Sequence, residues 1–252
     1  MREPKFEQIL GVNFFNGSVK DALEYISHKR GYTVVPAAPA LANIQRDPDY
    51  RRALVESDLA IADSGFMVLL WRIIRGRKVR RISGLQYLQV LFSDPALQES
   101  GRLFLILPSQ VAREKALRLL DIQGFHIGDA NTYIAPIYGS DVIDEPLVSI
   151  LKASRPDHVI IGIGGGVQEK LGLYLREHVG YRPTIHCIGA ALGFLSGDQR
   201  PIPVWADRLY LGWCLRLCRQ PRLLGRRFLR AFGLPELIWR YGKELPPLKI
   251  RE

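Results

Sequence analysis

The chain has 252 residues, 47% of them hydrophobic and 24% charged, with a formal net charge of +10 at pH 7, a composition that excludes a disordered or fibrous protein. Its three cysteines, Cys187, Cys214 and Cys218, are too few for a disulfide framework and no apolar signal segment opens the chain, so we predict a cytosolic protein. The longest apolar stretches, 66–74 and 158–163, are far shorter than the roughly 20 residues that cross a bilayer, which excludes a membrane-spanning helix.

Alternating strands and helices are predicted for the first part of the chain. Ser18 and Asp47 are residue types that cap helix N-termini, and Pro48 suits the first helical position. We predict strands at 6–12, 32–35 and 59–62, and helices from 19 to about 30, from 48 onward and at 66–74.

The same alternation continues to about residue 196. We predict strands at 102–107, 132–137, 158–163 and 184–188, a helix capped by Ser109 that runs to about 124, and helices at 145–153 and 168–178. This order is typical of an α/β, Rossmann-like fold with a mainly parallel sheet and helices on both faces. Ligands of such folds bind at the carboxyl ends of the strands, which is where Asp63 and the loop beginning at Gly164 are predicted to lie.

The composition changes after Gly197. Residues 200–252 contain 12 Lys and Arg against 4 Asp and Glu, a net charge of +8, and they show no further strand pattern. We therefore divide the chain into an α/β domain, residues 1–196, and a C-terminal helical basic appendage, residues 197–252, that packs against it.

The appendage is predicted to bind an anionic membrane surface. Leucine, tryptophan and phenylalanine alternate there with arginines that include Arg216, Arg222, Arg226 and Arg227. A basic side chain beside an anionic bilayer contributes about 1 kcal/mol, so several together support peripheral binding. Nucleic-acid phosphates are the alternative partner. We favour lipid and expect no nucleic acid, because the aromatic residues lie in apolar helical patches and not on a strand platform.

Asp63 is the first candidate catalytic residue. It follows a buried strand, where its carboxylate could take a proton from an acceptor hydroxyl as a general base. The structural alternative is that Asp63 caps the helix that follows.

The loop Gly164-Gly165-Gly166 joins a predicted strand to a predicted helix, an arrangement that attracts a diphosphate. No acidic residue ends a later strand about 20 residues on, which argues against a dinucleotide site; a simple tight turn is the structural alternative. A phosphate could also pair with one residue of the basic cluster Arg72, Arg75, Arg77, Lys78, Arg80 and Arg81. The histidines have no ligand spacing with cysteines or acids, so no metal site is predicted.

Short motifs along the chain occur in the order found in a known family. They are Ile9-Leu10-Gly11-Val12-Asn13-Phe14, Asp47-Pro48, Ser57-Asp58-Leu59 with Asp63, Arg81 to Gly84, Pro156-Asp157, Gly164 with Gln168-Glu169, Gly189 to Gly197, Trp213, Arg216-Leu217, Pro221-Arg222 and Arg226-Arg227. Over nearly its whole length the sequence resembles the WecG/TagA/CpsF glycosyltransferases.

The resemblance implies an inverting, metal-independent and cofactor-free transfer from a UDP-sugar, with an N-acetylmannosamine-like, hexose or uronic acid donor sugar. The acceptor would be a polyprenyl-diphosphate-linked sugar in cell-surface polysaccharide biosynthesis. Asp63 matches the family's base, and Arg81 and Gln168 match pocket residues. The UDP-sugar site would include Gly164, Gly165, Gly166, Glu169 and Gly189, and the carrier diphosphate would meet Arg216, Arg222, Arg226 and Arg227. The expected location is the inner face of the cell membrane, peripherally attached, with a homo-oligomer left open.

Several positions depart from the family pattern, and most of them lose a polar side chain. They are Pro36, Ala38, Gly166, Gly193 and Gly212. The alternative function is therefore a non-catalytic relative that binds a nucleotide sugar or a lipid carrier within a polysaccharide assembly complex. A nicotinamide-dependent enzyme is a third alternative, for which NADH binding would be needed and is not expected.

Overall fold

A computed structural model of the chain describes residues 4–99, 101–195, 229 and 231–249. The strands are β1 (Phe6–Ile9), β2 (Val12–Phe15), β3 (Tyr32–Val34), β4 (Leu59–Ala60), β5 (Leu103–Leu107), β6 (Thr132–Ile134), β7 (His158–Ile161) and β8 (Thr184–Cys187). The α-helices are α1 (Val19–Lys29), α2 (Ala38–Leu41), α3 (Pro48–Val55), α4 (Gly65–Arg75), α5 (Gly84–Phe92), α6 (Gln110–Ile122), α7 (Glu145–Ser154), α8 (Val167–His178), α9 (Ala190–Leu195) and α10 (Leu234–Tyr241).

The strands form one sheet in the order β1-β2-β4-β3-β8-β7-β5-β6. Strands β1 and β2 pair antiparallel, and every other neighbouring pair is parallel. The mainly parallel α/β fold predicted from the sequence is confirmed.

Helices cover both faces of the sheet, and successive side chains of each strand point alternately into the two resulting cores. In β5, Phe104 and Ile106 join one core, while Leu103, Leu105 and Leu107 join the other. Helices α3, α4, α7, α8 and α10 pack in the first core, and α1, α5, α6 and α9 pack in the second.

The predicted single strand at 6–12 is wrong. The chain turns at Leu10 and Gly11, whose φ angles are 51° and 80°, and returns as β2. Two central residues with positive φ are the signature of a tight two-residue hairpin turn. The glycine was the available signal, but the apolar residues on both sides of it concealed the turn.

Predicted helix starts were more accurate than strand lengths. The side chains of Ser18, Asp47 and Ser109 each accept a hydrogen bond from a first-turn backbone N–H, as predicted for N-caps. Except for β5, which ends at Leu107 as predicted, the strands end one to three residues earlier than predicted, and helix α5 was not predicted at all.

The described C-terminal residues 231–249 pack against the α/β unit. The buried side chains of α10 are Leu234, Leu237 and Ile238. The N–H groups of Leu10 and Gly11 donate to the carbonyls of Gly242 and Lys243, at 2.8 and 2.9 Å. The division at 196/197 falls at the edge of the described ranges and stays a prediction. No helix within those ranges is long and apolar enough to cross a bilayer.

Two histidines form a buried polar chain that the sequence did not suggest. His158 Nδ1 lies 3.1 Å from His186 Nε2, and His186 Nδ1 lies 2.8 Å from the hydroxyl of Tyr87 on α5. Burial lowers the pKa of His158 to about 4 and that of His186 well below its usual range, so both rings are neutral at pH 7. The two histidines link β7, β8 and α5 through hydrogen bonds.

Candidate functional site

The residues predicted to be functional lie at the carboxyl ends of neighbouring strands. Asp63 follows β4, Gln168 follows β7 and Gly189 follows β8, and these strands lie in the consecutive order β4-β3-β8-β7. Parallel strands are about 4.8 Å apart, so β4 and β7 are separated by about 14 Å. This edge of the sheet is wide enough for an elongated ligand.

Asp63 is oriented by Arg81. Arg81 Nε donates to the backbone carbonyl of Asp63 at 2.7 Å, and Arg81 Nη2 lies 3.4 Å from Asp63 Oδ1. The cap of α4 is Ser64, whose hydroxyl accepts from the Met67 N–H at 3.3 Å, so Asp63 is not needed as the N-cap. The side chain of Asp63 is 40% exposed and that of Arg81 only 16% exposed. A solvent-accessible carboxylate therefore rests on a fixed, mostly buried guanidinium.

The start of α5 brings Asp63 close to the end of β8. A Cβ placed on Gly84 would lie 3.7 Å from Asp63 Oδ2 and 4.0 Å from the carbonyl oxygen of Ile188. Although Asp63 follows β4, its carboxylate therefore lies near the end of β8. Strand β8 is the neighbour of β7, which leads into the glycine loop. The helix that creates this approach was not predicted, so no role was assigned to Gly84.

Gln168, Glu169 and Gly189 form one buried cluster. Gln168 Nε2 donates to Glu169 Oε1 at 3.1 Å and to the carbonyl of Cys187 at 3.2 Å. Gln168 is 2% exposed and Glu169 is fully buried. Gly189 has a φ of 54°, and a Cβ there would lie 3.0 Å from Gln168 Oε1, so glycine leaves the room that this amide occupies.

The predicted phosphate loop is only partly open to a ligand. Gly166 N–H donates to Glu169 Oε2 at 2.6 Å, and the Gln168 N–H donates to the carbonyl of Gly164 at 3.1 Å. The N–H of Gly166 is therefore engaged within the protein, with a carboxyl group beside it at the start of α8. Gly164 and Gly165 are exposed, and their contact with a diphosphate stays a prediction.

The basic cluster divides into residues with different surroundings. Arg75 Nε donates to the carbonyl of Ile238 on α10 at 3.1 Å, and Arg77 pairs with Glu7 at 3.0 Å. Arg81 is the member that contacts Asp63. Arg216, Arg222, Arg226 and Arg227, together with Gly212, lie outside the described residues.

No group of three or more histidine, cysteine or acidic side chains suited to a metal ion occurs in the part of the chain that the structure describes. Among the positions that depart from the family pattern, Ala38 is buried at the start of α2, and Pro36 lies half-buried after β3. Neither side chain offers a hydrogen-bonding group to this edge of the sheet.

A mainly parallel α/β sheet with an arginine-supported carboxylate at its carboxyl edge is compatible with a glycosyltransferase, and comparison with known families identifies one. The model of the family described as "Glycosyl transferase WecG/TagA/CpsF family" matches residues 7–249, and the chain belongs to this family. The family membership predicted from the sequence is confirmed.

The sequence of a curated relative aligns with most of the chain. The chain is similar to the N-acetylglucosaminyldiphosphoundecaprenol N-acetyl-beta-D-mannosaminyltransferase of Bacillus subtilis (strain 168), with 24% identity over 237 residues. The match covers 91% of this chain and 88% of the relative. The similarity therefore includes the α/β unit and extends into the C-terminal part.

Proposed function

We propose that the chain transfers an N-acetylmannosamine-like sugar from a UDP-sugar to a polyprenyl-diphosphate-linked acceptor in cell-surface polysaccharide biosynthesis. The name of the Bacillus subtilis relative describes an N-acetylmannosaminyl transfer to an undecaprenol diphosphate carrying N-acetylglucosamine. The observation that carries the proposal is the half-exposed carboxylate of Asp63, held against Arg81 at the carboxyl edge of the sheet.

In the proposed reaction, Asp63 takes the proton of an acceptor hydroxyl as that oxygen attacks the anomeric carbon of the donor. The bond between the anomeric carbon and the diphosphate oxygen breaks, and its electron pair leaves with UDP. Attack from the face opposite the leaving group inverts the anomeric centre. In this proposal Arg81 also balances charge that builds on the diphosphate, and the reaction uses no metal ion.

The test is release of UDP from UDP-N-acetylmannosamine by the purified full chain, with a polyprenyl-diphosphate N-acetylglucosamine acceptor. We expect one UDP for each glycolipid formed, at a rate unchanged by a metal chelator. Replacing the donor with UDP-hexoses and UDP-uronic acids defines the sugar. Loss of activity with the chelator would refute the metal-independent mechanism.

A non-catalytic role is the second candidate, and the apolar residues Pro36 and Ala38 favour it. Measurable binding of the UDP-sugar without UDP release, with every acceptor tried, would support this function over transfer.

We also propose that the C-terminal part attaches the protein peripherally to the inner face of the membrane. Trp239 on α10 is 69% exposed and Phe232 is 62% exposed, next to cationic residues such as Arg240. Exposed aromatic side chains beside cations suit the boundary between lipid headgroups and acyl chains.

Sedimentation with anionic phospholipid vesicles tests this attachment. Because a buried aromatic side chain contributes about 2 kcal/mol, the double variant Phe232→Ser, Trp239→Ala is expected to bind at least about tenfold more weakly. Ile137→Ala is the matched control, since Ile137 is also an exposed apolar residue but lies in a loop of the α/β unit. Equal vesicle binding by wild type and the double variant would show that Phe232 and Trp239 do not contribute to membrane attachment.

A further inference from the structure

The side-chain amide of Gln168 has a single orientation that its surroundings allow. Its nitrogen lies against two acceptors, the Glu169 carboxyl at 3.1 Å and the Cys187 carbonyl at 3.2 Å. A rotated amide would place an oxygen against the Cys187 carbonyl oxygen, which carries no proton. The Nε2 atom must therefore face Glu169 and Cys187, and Oε1 must point away from them.

The Gln168 Oε1 atom is then a buried acceptor with no donor among the described residues. Gln168 is 2% exposed, so solvent does not readily replace a missing partner. Buried polar atoms are rarely left without a hydrogen bond in a native protein, and the exceptions are commonly sites that a ligand completes. Gly189, which lacks a side chain, borders this oxygen at the end of β8.

Hydrogen-bonding chemistry decides which part of a ligand can pair with Gln168 Oε1. An ionised diphosphate has only acceptors, so it cannot satisfy Oε1, and the Gly166 N–H at the start of α8 already donates to Glu169. A sugar hydroxyl, an acetamido N–H and the imide N–H of uracil are all donors. The cluster therefore fits a donor-bearing part of a nucleotide sugar better than its phosphates.

We propose that Glu169 is a positioning residue that holds the Gln168 amide so that Oε1 accepts a hydrogen bond from an N–H or O–H group of the bound UDP-sugar. This inference rests on the proposed function. In this role Glu169, which the resemblance places in the UDP-sugar site, acts through Gln168, with its second carboxyl oxygen held by the Gly166 N–H.

A double-mutant cycle measures this coupling. Glu169→Gln keeps the shape of the side chain but removes one of the two acceptors that fix the amide, so UDP-N-acetylmannosamine should bind about tenfold more weakly. In a Gln168→Met background, the same change should alter the dissociation constant less than twofold. A loss of the same size in both backgrounds would overturn the proposal, because it would show that Glu169 acts independently of Gln168.

Binding of UDP alone identifies the ligand group that Gln168 meets. If Glu169→Gln weakens binding of UDP and UDP-N-acetylmannosamine equally, the donor lies on the uridine, as the uracil imide or a ribose hydroxyl; if only binding of the nucleotide sugar is weakened, the donor lies on the N-acetylmannosamine. Both results support the proposal. Unchanged affinity for both ligands in a variant that melts within a few degrees of wild type would refute it.

A ligand-free measurement separates this inference from the proposed function. The side-chain amide protons of Gln168, assigned by the NMR signals lost in Gln168→Met, should exchange slowly in wild type and at least about tenfold faster in Glu169→Gln. Equal exchange rates would refute the role of Glu169. Failure of wild type to bind either nucleotide would refute the proposed function and the ligand assignment, while the exchange rates would still decide whether Glu169 holds the amide.

Discussion

Replacing Asp63 with Asn is expected to lower kcat by about 10²–10⁴-fold, the range that a positioned general base contributes. The amide has the same shape as the carboxylate but cannot accept the proton of the acceptor hydroxyl. The contact from Arg81 Nε goes to the backbone of Asp63 and should survive the change. The affinity for UDP, measured by calorimetry, should therefore stay within about twofold of wild type.

Asp141→Asn is the matched control for this experiment. Asp141 is exposed in the loop after β6 and belongs to no proposed catalytic or binding group, so its variant should turn over at the wild-type rate. A wild-type rate for Asp63→Asn would remove Asp63 from the mechanism. Loss of UDP affinity together with kcat would instead assign Asp63 to donor binding.

Replacing Gly11 with Ala is expected to destabilise the protein by about 2–4 kcal/mol. The φ angle of 80° at Gly11 is unfavourable for alanine, and the new Cβ would lie 2.6 Å from the Cβ of Leu245 and 3.0 Å from its Cα. Backbone atoms cannot move aside as the end of a flexible side chain can. The hairpin turn and the segment after α10 would therefore have to separate.

Urea denaturation followed by circular dichroism measures this loss, with Gly128→Ala as the control. Gly128 has a φ of −78°, and a Cβ there would meet no atom within 4 Å, so its variant should change stability by less than about 0.5 kcal/mol. A similar small change for Gly11→Ala would show that the turn relaxes without disturbing the segment around Leu245.

Local sequence signals predicted much of the fold because the relevant interactions are local. Ser18, Asp47 and Ser109 cap helices through hydrogen bonds within one turn, and such signals depend on few neighbours. The mainly parallel sheet followed from the alternation of strands and helices. The hairpin at Gly11 was missed because its apolar flanks resemble one continuous strand.

Helix α5 was missed for a different reason. Its buried residues recur at helical spacing, while Gln86 and Gln89 are exposed on the opposite face. The amphipathic signal for helix α5 was therefore present and was overlooked, whereas the turn at Gly11 was concealed by its apolar flanks. The first residue of α5, Gly84, then places Asp63 near β8, and this contact depends on tertiary packing that no local pattern encodes.

The candidate site was predicted in part from residue types and in part from the family resemblance. Asp63 and the glycine loop stand out because they follow apolar strands. The link between Gln168 and Glu169 could not be predicted, because adjacent helix residues ordinarily point in different directions. Here the loop at Gly166 and the end of β8 bring the amide and the carboxyl together.

The hydrogen bonds from Leu10 and Gly11 to Gly242 and Lys243 also affect how the protein is made. These partners lie roughly 230 positions apart, so their contact is among the most non-local that the chain can form. During translation the hairpin emerges from the ribosome long before its partners, and these hydrogen bonds cannot form until Gly242 and Lys243 have been synthesised. Nascent chains that stall before residue 242 would lack these bonds, and the N–H groups of their hairpin turn would stay unpaired with this segment.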